Sequence, residues 1–202
     1  MKKLSWKGKR FFLGLTGMPG SGKSTAREIL AKLGCKTLDA DALAHDVLDQ
    51  PDTLQEIANL FGADVVQNGK ANRAAIADRV FKDRELLEKL NSLIHPRVRK
   101  KAMERMNAFP EGSIIVYDVP LLFEAELNKE MDATLVIRSS FPVRLDRVKS
   151  RSWTEEDLKS RDRHHLPDKA ERADFVVEND GQIQAMASEL EALLLKIKAA
   201  KP

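Results

Sequence analysis

The order of apolar and polar positions predicts a chain that alternates between strands and helices. Residues 11–16 form an apolar run that is typical of a buried strand. Apolar residues then recur at the spacing of one helix face, and Gly34 is placed to end that helix. The apolar positions of this helix are Ala26, Ile29, Leu30 and Leu33. A strand that leads through a glycine-rich loop into a helix therefore opens the fold.

Further apolar runs predict the rest of the sheet. A short extended segment covers 35–38, and buried strands are predicted at 113–118, 133–137 and 175–177. The final helix carries one apolar stripe, which predicts core packing. The members of the stripe are Ile183, Met186, Ala187, Leu190, Leu194 and Ile197. Strands that alternate with helices favour an α/β fold with a parallel sheet flanked by helices.

The pattern from Leu43 to about Phe109 is almost wholly helical. Helical segments are predicted at 53–61, 73–81 and 83–107. This is more helix than one crossover between parallel strands requires. We therefore expect a helical insertion at about 43–111 that forms one wall of a cleft. A break is expected at His95-Pro96, because proline disfavours helical geometry in the residue before it.

The highly charged stretch 141–172 is also predicted to be helical. Arg144, Arg147 and Arg151 recur in it at helical spacing. One interpretation is a solvated helix face. The other is a mobile lid that brings guanidinium groups onto transferring phosphates. In the lid interpretation Arg147 and Arg151, four residues apart, project from one face of a helix.

Length and composition narrow the class of protein. The 202 residues fit one domain with an inserted segment, and 43% hydrophobic with 32% charged residues is ordinary for a soluble enzyme. The net charge of +3 is too small to indicate nucleic-acid binding, and it suits an anionic small substrate equally well. No apolar run reaches the length that spans a bilayer. We therefore expect neither nucleic acid nor a membrane as a partner.

The single cysteine and the first residues bear on the compartment. Cys35 is the only cysteine, which excludes an internal disulfide and favours a reducing compartment, so we expect the cytoplasm. The first residues are basic around Trp6 and lack the apolar core of a secretory signal. We expect 1–9 to be a frayed basic tail before one domain at 10–202.

The loop after the first strand carries the motif Gly-x-x-x-x-Gly-Lys-Ser at 17–24. Its glycines allow the backbone to aim successive N–H groups into one concavity that binds phosphate oxygens. Lys23 adds a positive charge for the outer phosphates, and Ser24 offers a hydroxyl to Mg²⁺. The helix N-terminus adds its partial positive charge. Strand, loop and helix occur in the required order, so the motif predicts a P-loop NTPase fold and a nucleotide site.

Acidic residues follow two of the predicted strands. Asp39 and Asp41 come after the segment 35–38, and Asp118 ends the strand 113–118. Carboxylates at strand ends can hold hydrated Mg²⁺ or accept a proton from a substrate hydroxyl. For Asp39 and Asp41 a helix cap or a turn is an equally typical interpretation.

Basic residues of the helical insertion form a candidate anion site. Arg73, Arg97 and Arg99 lie in the insertion, and His95 stands beside the predicted helix break. Guanidinium groups bind phosphates through paired N–H donors. A solvated basic face is the alternative, and composition alone favours it.

Taken together, these motifs resemble the dephospho-CoA kinase family over about residues 12–194. The matching segments are Gly14-Leu15-Thr16-Gly17, Gly20-Ser21-Gly22-Lys23-Ser24-Thr25, Asp39-Ala40-Asp41, Ala44-His45, Asn72-Arg73, Val80-Phe81, Leu90-Asn91, Ile94-His95-Pro96, Arg99, 118–124 and 173–179. Two departures are visible. Met18-Pro19 in the loop is closer to adenylate kinase and similar nucleoside monophosphate kinases, and His164-His165 stand about where the family carries a glutamine.

The resemblance implies ATP-dependent phosphorylation of the ribose 3′-hydroxyl of dephospho-CoA, the last step of coenzyme A synthesis. It implies ATP and dephospho-CoA as substrates, with Mg²⁺ as cofactor. Asp41 would accept the hydroxyl proton, with Lys23 and Arg147 as further catalytic groups, and Ser24, Asp39 and Asp118 would hold the metal or its water. The implied ATP contacts are Gly20, Ser21, Gly22, Lys23, Ser24, Thr25, Arg147, Arg151 and Asn179. The implied acceptor contacts are Asp41, Arg73, His95, Arg99 and Leu122.

The same resemblance gives the expected division of the chain. The core is expected at about 10–42, 112–140 and 173–200, with an acceptor-binding insertion at about 43–111 and a lid at about 141–172. We expect the part of the lid near 151–166 to be mobile without ligands. A monomer and a small homo-oligomer fit the pattern equally.

Two other functions stay open. A nucleoside monophosphate kinase is favoured by Met18-Pro19 and disfavoured by the helical insertion and by the segment 119–124. A nucleotide-dependent switch that binds a partner predicts a guanine-reading Asn-Lys-x-Asp segment, and the sequence contains none.

Overall fold

The computed structural model describes residues 4, 6 and 8–201, apart from the side chains of residues 81 and 82. The chain divides into two compact units, one made of Met1–Leu38 with Met106–Pro202 and the other of Asp39–Arg105. The strands are β1 (Phe11–Gly17), β2 (Lys36–Asp39), β3 (Val66–Gln67), β4 (Lys70–Ala71), β5 (Ile114–Asp118), β6 (Ala133–Arg138) and β7 (Phe175–Glu178). The α-helices are α1 (Lys23–Lys32), α2 (Ala40–Leu48), α3 (Pro51–Phe61), α4 (Arg73–Lys82), α5 (Arg84–Ala108), α6 (Phe141–Val148), α7 (Glu155–Asp162), α8 (Lys169–Arg172) and α9 (Ile183–Ala199).

A five-stranded sheet in the order β2-β5-β1-β6-β7 forms the centre of the first unit. β1 pairs in parallel with β5 and β6, and β6 pairs in parallel with β7. The register places Leu15 opposite Asp118, and Gly17 opposite Ile137. The carboxyl ends of these four strands therefore meet at one edge of the sheet, where ligands bind in folds of this class.

The core of this unit lies around β1, because that strand is buried along almost its whole length. Leu13 and Leu15 are fully buried, and Ala26 and Leu30 of α1 pack in the same cluster. The stripe of α9 joins them through Met186, Leu190, Leu193, Leu194 and Ile197. A strand covered on both faces needs a continuous apolar run, as parallel sheets do. The four buried strands and the first and last helices are confirmed at about the predicted positions.

Trp6 does not belong to a frayed tail, and that part of our prediction is wrong. Its indole Nε1 donates a hydrogen bond of 3.1 Å to the carbonyl of Ile197. Its ring lies 5.5 Å from that of Phe11, centroid to centroid. A large apolar ring with one donor is stabilised where it can bury the ring and bond the N–H. The basic residues Lys2, Lys3 and Lys7 lie outside the described residues.

The second unit has a core of its own. It is formed by Val47, Ile57, Phe61, Val65, Ile76 and Ile94. A two-stranded hairpin, β3 with β4, lies within the stretch whose pattern we described as almost wholly helical. Asn68 and Gly69 both adopt positive φ, at 52° and 71°, as a tight hairpin turn requires. Strands of two residues each are too short to leave a pattern in the sequence.

The helix break predicted at His95-Pro96 is wrong. α5 runs from Arg84 to Ala108 with Pro96 inside it. Proline removes one backbone hydrogen bond from a helix. Ile94, two residues earlier, is buried in the core of the unit. Burial of the apolar face, together with the hydrogen bonds of so long a helix, outweighs the single lost bond.

Candidate active site

The glycine-rich loop lies between β1 and α1, at the edge where the strands of the first unit end. Gly22 precedes α1 with φ 92°, a conformation that favours glycine. A Cβ on Gly22 would lie 2.1 Å from Nδ2 of Asn179, and one on Gly17 would lie 2.7 Å from the carbonyl of Ile137. Gly22 is therefore required for its backbone conformation, and at both Gly17 and Gly22 a side chain would clash with a neighbouring residue.

Lys23 is the first residue of α1 and forms an ion pair with Asp118 at the end of β5. The other oxygen of Asp118 lies 3.3 Å from Nη1 of Arg27. Asp118 is only 2% exposed, so its charge needs partners. The sequence analysis did not find Arg27. Its position four residues after Lys23, on the same helix face, was the available signal.

Arg147 lies against the phosphate-binding loop. Its Nη2 donates to the carbonyl of Asn179 at 2.6 Å, and its Nη1 donates to the hydroxyl of Ser139 at 2.9 Å. Asn179 in turn donates from Nδ2 to the carbonyl of Ser21 at 2.7 Å. Residues after β6, after β7 and on α6 thus converge on one turn of the loop. Ser139 is a member that the sequence analysis missed.

Arg151 does not share a helix face with Arg147, and that prediction is wrong. α6 ends at Val148, and a tighter turn over Lys149–Arg151 leads to Ser152 at φ 58°. The guanidinium of Arg151 lies 5.5 Å from the ring centre of Trp153 and is exposed. Spacing of four residues places two side chains together only while the α-helix continues.

Arg144 is a structural residue. It is 6% exposed, and its two terminal nitrogens bond both oxygens of Asp162 at 2.9 and 2.8 Å. Nη1 also donates to the carbonyl of Pro19 at 3.0 Å. A buried, paired guanidinium beside the loop contradicts the solvated-face interpretation for this part of α6.

The segment after β5 is largely buried. Leu122 is fully buried, and a Cβ on Gly14 would lie 2.9 Å from its Cδ2. The side chain packs in the interior because its neighbour on β1 has no side chain, and the acceptor contact implied for Leu122 stays a prediction. The exposed apolar residue of the segment is Leu121, at 39%.

Lys169 begins α8 with a side chain that is 2% exposed. Its Nζ lies 2.6 Å from the carbonyl of Pro120, 3.0 Å from Oε1 of Glu124 and 2.9 Å from Nδ1 of His165. Oε1 of Glu124 also accepts a hydrogen bond of 2.7 Å from the backbone N–H of Leu166. We refer to Lys169, Glu124 and His165 as the ammonium cluster.

The environment of the ammonium cluster shifts the pKa of each member. Burial, and then the charge of Lys169, lower the pKa of His165 to about 4. Burial lowers the pKa of Lys169, with a further contribution from Lys23, although Glu124 opposes the shift. Burial raises the pKa of Glu124, but the N–H of Leu166 and the ammonium of Lys169 together lower it by more. The pKa of Glu124 therefore lies below its ordinary value. At neutral pH the histidine is uncharged and the other two residues form an ion pair.

The acidic pair Asp39 and Asp41, at the end of β2 and the start of α2, belongs to the second unit. Asp39 is the N-cap of α2, and its Oδ1 accepts from the N–H groups of Asp41 and Ala42 at 2.9 and 3.1 Å. The cap interpretation is therefore confirmed for Asp39. Asp41 lies in the first turn of α2 and is exposed.

The basic residues predicted for the acceptor also lie in the second unit. Arg73 begins α4, and its Nη2 lies 3.2 Å from Oδ2 of Asp49. His95 and Arg99 are exposed and lie four residues apart on α5, which places them on one helix face. Arg97 is bound to Glu56 at 2.6 Å and to the carbonyl of Leu93 at 2.9 Å.

The described residues form neither a cage of metal-binding side chains nor a helix that could cross a membrane. Over residues 4, 6 and 8–201, no three His, Cys, Asp or Glu side chains come together as a metal cage. In the same described part of the chain, no helix combines the length and apolarity that a membrane crossing needs. Mg²⁺ rarely uses such a cage, because it keeps water and phosphate ligands.

Comparison with known proteins adds a family to this geometry. A family model described as dephospho-CoA kinase matches residues 11–185. A dephospho-CoA kinase of Deinococcus radiodurans is 40% identical over 191 residues, covering 92% of this chain and 92% of that protein.

Solved structures give the same result for the fold. A Thermus thermophilus protein matches with a TM-score of 0.82 at 33% identity, over 93% of this chain and 98% of that one. The dephospho-CoA kinase from Campylobacter jejuni matches with a TM-score of 0.74 at 24% identity, over 94% and 98%. The predicted fold class, a parallel sheet flanked by helices as in P-loop kinases, is confirmed.

Proposed function

We propose that this chain, which belongs to the dephospho-CoA kinase family, transfers the γ-phosphate of ATP to the ribose 3′-hydroxyl of dephospho-CoA. The products would be ADP and coenzyme A. Neither a nucleoside monophosphate kinase nor a nucleotide switch keeps independent support, because the family match extends over residues 11–185.

The observation that carries the proposal is the contact of Lys23 with Asp118 beside the phosphate-binding loop. Phosphoryl transfer needs positioning and stabilisation of charge, and a loop lysine supplies both to the outer phosphates. Asp118 holds the ammonium group at the loop, and Arg27 holds the carboxylate from its other side. When the nucleotide binds, Lys23 would exchange one carboxylate oxygen for phosphate oxygens.

The residues at the loop fit ATP with Mg²⁺. Ser24 has an exposed position at the start of α1, and its hydroxyl is an oxygen ligand of the kind that Mg²⁺ prefers. We assign the organisation of metal-bound water to Asp118 rather than Asp39, because Oδ1 of Asp39 caps α2. Bound Mg²⁺ would neutralise charge on the transferring phosphates. The remaining ATP contacts are proposed for Gly20, Ser21, Gly22, Thr25, Arg147 and Asn179.

Arg147 is the cationic residue that we propose to stabilise the transferred phosphate. It is partly buried, and both of its terminal nitrogens bond groups at the loop. A guanidinium held in this way is oriented before the nucleotide arrives, which lowers the cost of reorganisation. Arg151 is the weaker candidate, because it stacks on Trp153 instead.

Asp41 is proposed as the base that accepts the proton of the 3′-hydroxyl. Its carboxylate is exposed in the first turn of α2, where a substrate hydroxyl can reach it. Arg73, His95 and Arg99 of the same unit are proposed to bind the anionic groups of the acceptor. Arg73 already pairs with Asp49, so an acceptor phosphate would compete with a carboxylate.

An acceptor screen tests the proposed function. The protein is incubated with ATP and Mg²⁺ and with dephospho-CoA, AMP, CMP or shikimate in parallel, and ADP formation is measured with and without each acceptor. We expect dephospho-CoA to give by far the highest rate. A preference for AMP or CMP would contradict the proposal, and ADP formation that no acceptor stimulates would indicate a nucleotide hydrolase.

A further inference from the structure

The ammonium cluster is not used by the mechanism above, although it contains the most deeply buried ammonium group of the site region. The side chain of Lys169 is 2% exposed, compared with 18% for Lys23. Burying a cation is costly unless a counter-ion and hydrogen bonds compensate. A buried lysine beside a phosphate-binding loop therefore needs an explanation.

The three protons of Lys169 have three acceptors. An ammonium group carries three N–H donors. Pro120 offers a carbonyl, Glu124 a carboxylate and His165 a ring nitrogen, all within 3.0 Å. Nδ1 of His165 must accept here, so the proton of its neutral ring is on Nε2. With its donors engaged, Lys169 does not act as one more phosphate ligand.

The acceptors of Lys169 lie on the segment that follows the aspartate of the site. Pro120 and Glu124 come two and six residues after Asp118, the residue that holds Lys23. The same carbonyl of Pro120 accepts from the hydroxyl of Thr16 at 2.9 Å. Lys169 and Thr16 thus fix one backbone group from two sides, at the ends of β1 and β5.

We propose that Lys169 is a positioning residue for phosphoryl transfer, which fixes the segment 119–124 and, through it, the contact between Asp118 and Lys23. The cluster also joins α8 to this segment, because Glu124 bonds both Lys169 and the backbone of Leu166. This inference rests on the proposed function. Since a misplacement of about 1 Å costs about 10²-fold in rate, loss of Lys169 should lower turnover by about 10- to 100-fold.

The test compares Lys169→Met with the double variant Lys169→Met/Glu124→Gln. The single variant leaves the Glu124 carboxylate buried without its cation, so both stability and turnover should fall. Glutamine at 124 removes that charge and keeps an oxygen for the N–H of Leu166. The double variant should therefore recover most of the thermal stability, whereas its turnover stays about 10- to 100-fold low, because the Pro120 carbonyl still lacks the donor from Lys169 and keeps only that from Thr16. The dissociation constant for ATP should change by less than about 3-fold, well under the effect on turnover.

The exposed ion pair of Lys159 with Glu155 is the matched control. Lys159→Met/Glu155→Gln removes the same groups from a solvated helix face, and both its turnover and its stability should equal those of the wild type. If the Lys169 double variant recovers turnover together with stability, or if Lys169→Met turns over normally, Lys169 is only part of a structural ion pair.

The wild type assayed in parallel separates the two proposals. A wild-type protein that fails to phosphorylate dephospho-CoA contradicts the proposed function. An active wild type with an equally active double variant contradicts the role of Lys169 alone. Should Lys169→Met fail to fold, the double variant decides, because it contains no unpaired buried charge.

Discussion

The phosphate-binding loop of the first unit and the candidate acceptor residues of the second differ in how firmly their side chains are held. At the loop, Asp118 and Arg144 are almost fully buried, and each has two or more partners. In the second unit, Asp41 and His95 are exposed. A nucleotide therefore meets groups that are already ordered, whereas the acceptor would order its own contacts on binding.

This difference separates two kinds of mutational effect. Removing a member of a buried network leaves its partners without hydrogen bonds, so stability falls together with activity. Removing an exposed side chain that takes part in the reaction lowers activity and leaves the free energy of unfolding nearly unchanged. Measurements of turnover and of the free energy of unfolding on the same variants therefore test whether the two groups of residues differ in this way.

The largest effect is expected for Lys23→Ala, which changes a residue of the phosphate-binding loop. Turnover should fall by about 10³-fold and ATP affinity should weaken, because the outer phosphates lose their cation. The free energy of unfolding should also fall, by about 1–3 kcal/mol, since the buried Asp118 loses the ammonium group that pairs with it. Steady-state kinetics, nucleotide titration and urea denaturation measure the three quantities. Lys32→Ala, at the exposed end of α1, is the control, and equal losses in both variants would contradict the prediction.

A smaller effect, confined to activity, is expected for Asp41→Asn, which changes an exposed residue of the second unit. Loss of a positioned base costs about 10²- to 10³-fold in turnover, while ATP affinity and the melting temperature should stay at the wild-type level. Asp46→Asn is the control, because Asp46 lies on the same helix and pairs with Arg105 at 2.9 Å. A melting temperature that falls with turnover would show that Asp41 is held as firmly as the loop residues, and this would contradict the difference between the two units.

The sequence could predict features that depend on residues close together along the chain, and it could not predict contacts that depend on the order of the strands. The strand, loop and helix around Lys23 are contiguous, so the motif and the apolar spacing were enough to place them. Arg27 could have been found in the same way, from its spacing to Lys23 on α1. The contacts of Ser139 depend on which strands are neighbours, and no local pattern contains that information.

Two other predictions about helices were wrong for different reasons. α6 ends at Val148, so Arg151 does not lie on the face of Arg147. α5 continues through Pro96, where the effect of proline on the preceding residue predicted a break. For α5, burial of the apolar face outweighed the intrinsic preference of one residue.

The smallest effect concerns His165 of the ammonium cluster and appears only in acid. Its pKa is lowered from 6.5 to about 4, so between these values the unfolded chain binds a proton that the folded protein excludes. Stability contributed by the neutral ring is therefore complete above about pH 6.5 and is lost as the pH falls towards 4. The charges that act on the pKa of the ring are those of Lys169, Glu124, Asp162 and His164.

His165→Asn keeps an acceptor near Nδ1 but cannot titrate, so it isolates this loss. Between pH 6.5 and 5.5 the wild type should lose about 1 kcal/mol more of its free energy of unfolding than this variant does. Urea denaturation at the two pH values measures the difference. His164→Asn at the exposed neighbour is the control and should keep most of the wild-type difference between the two pH values, because the pKa of His165 is lowered mainly by burial and by Lys169. Identical pH dependence in His165→Asn and in the wild type would mean that the ring titrates as it does in the unfolded chain, and the ammonium cluster would then belong with the loosely held residues of the comparison.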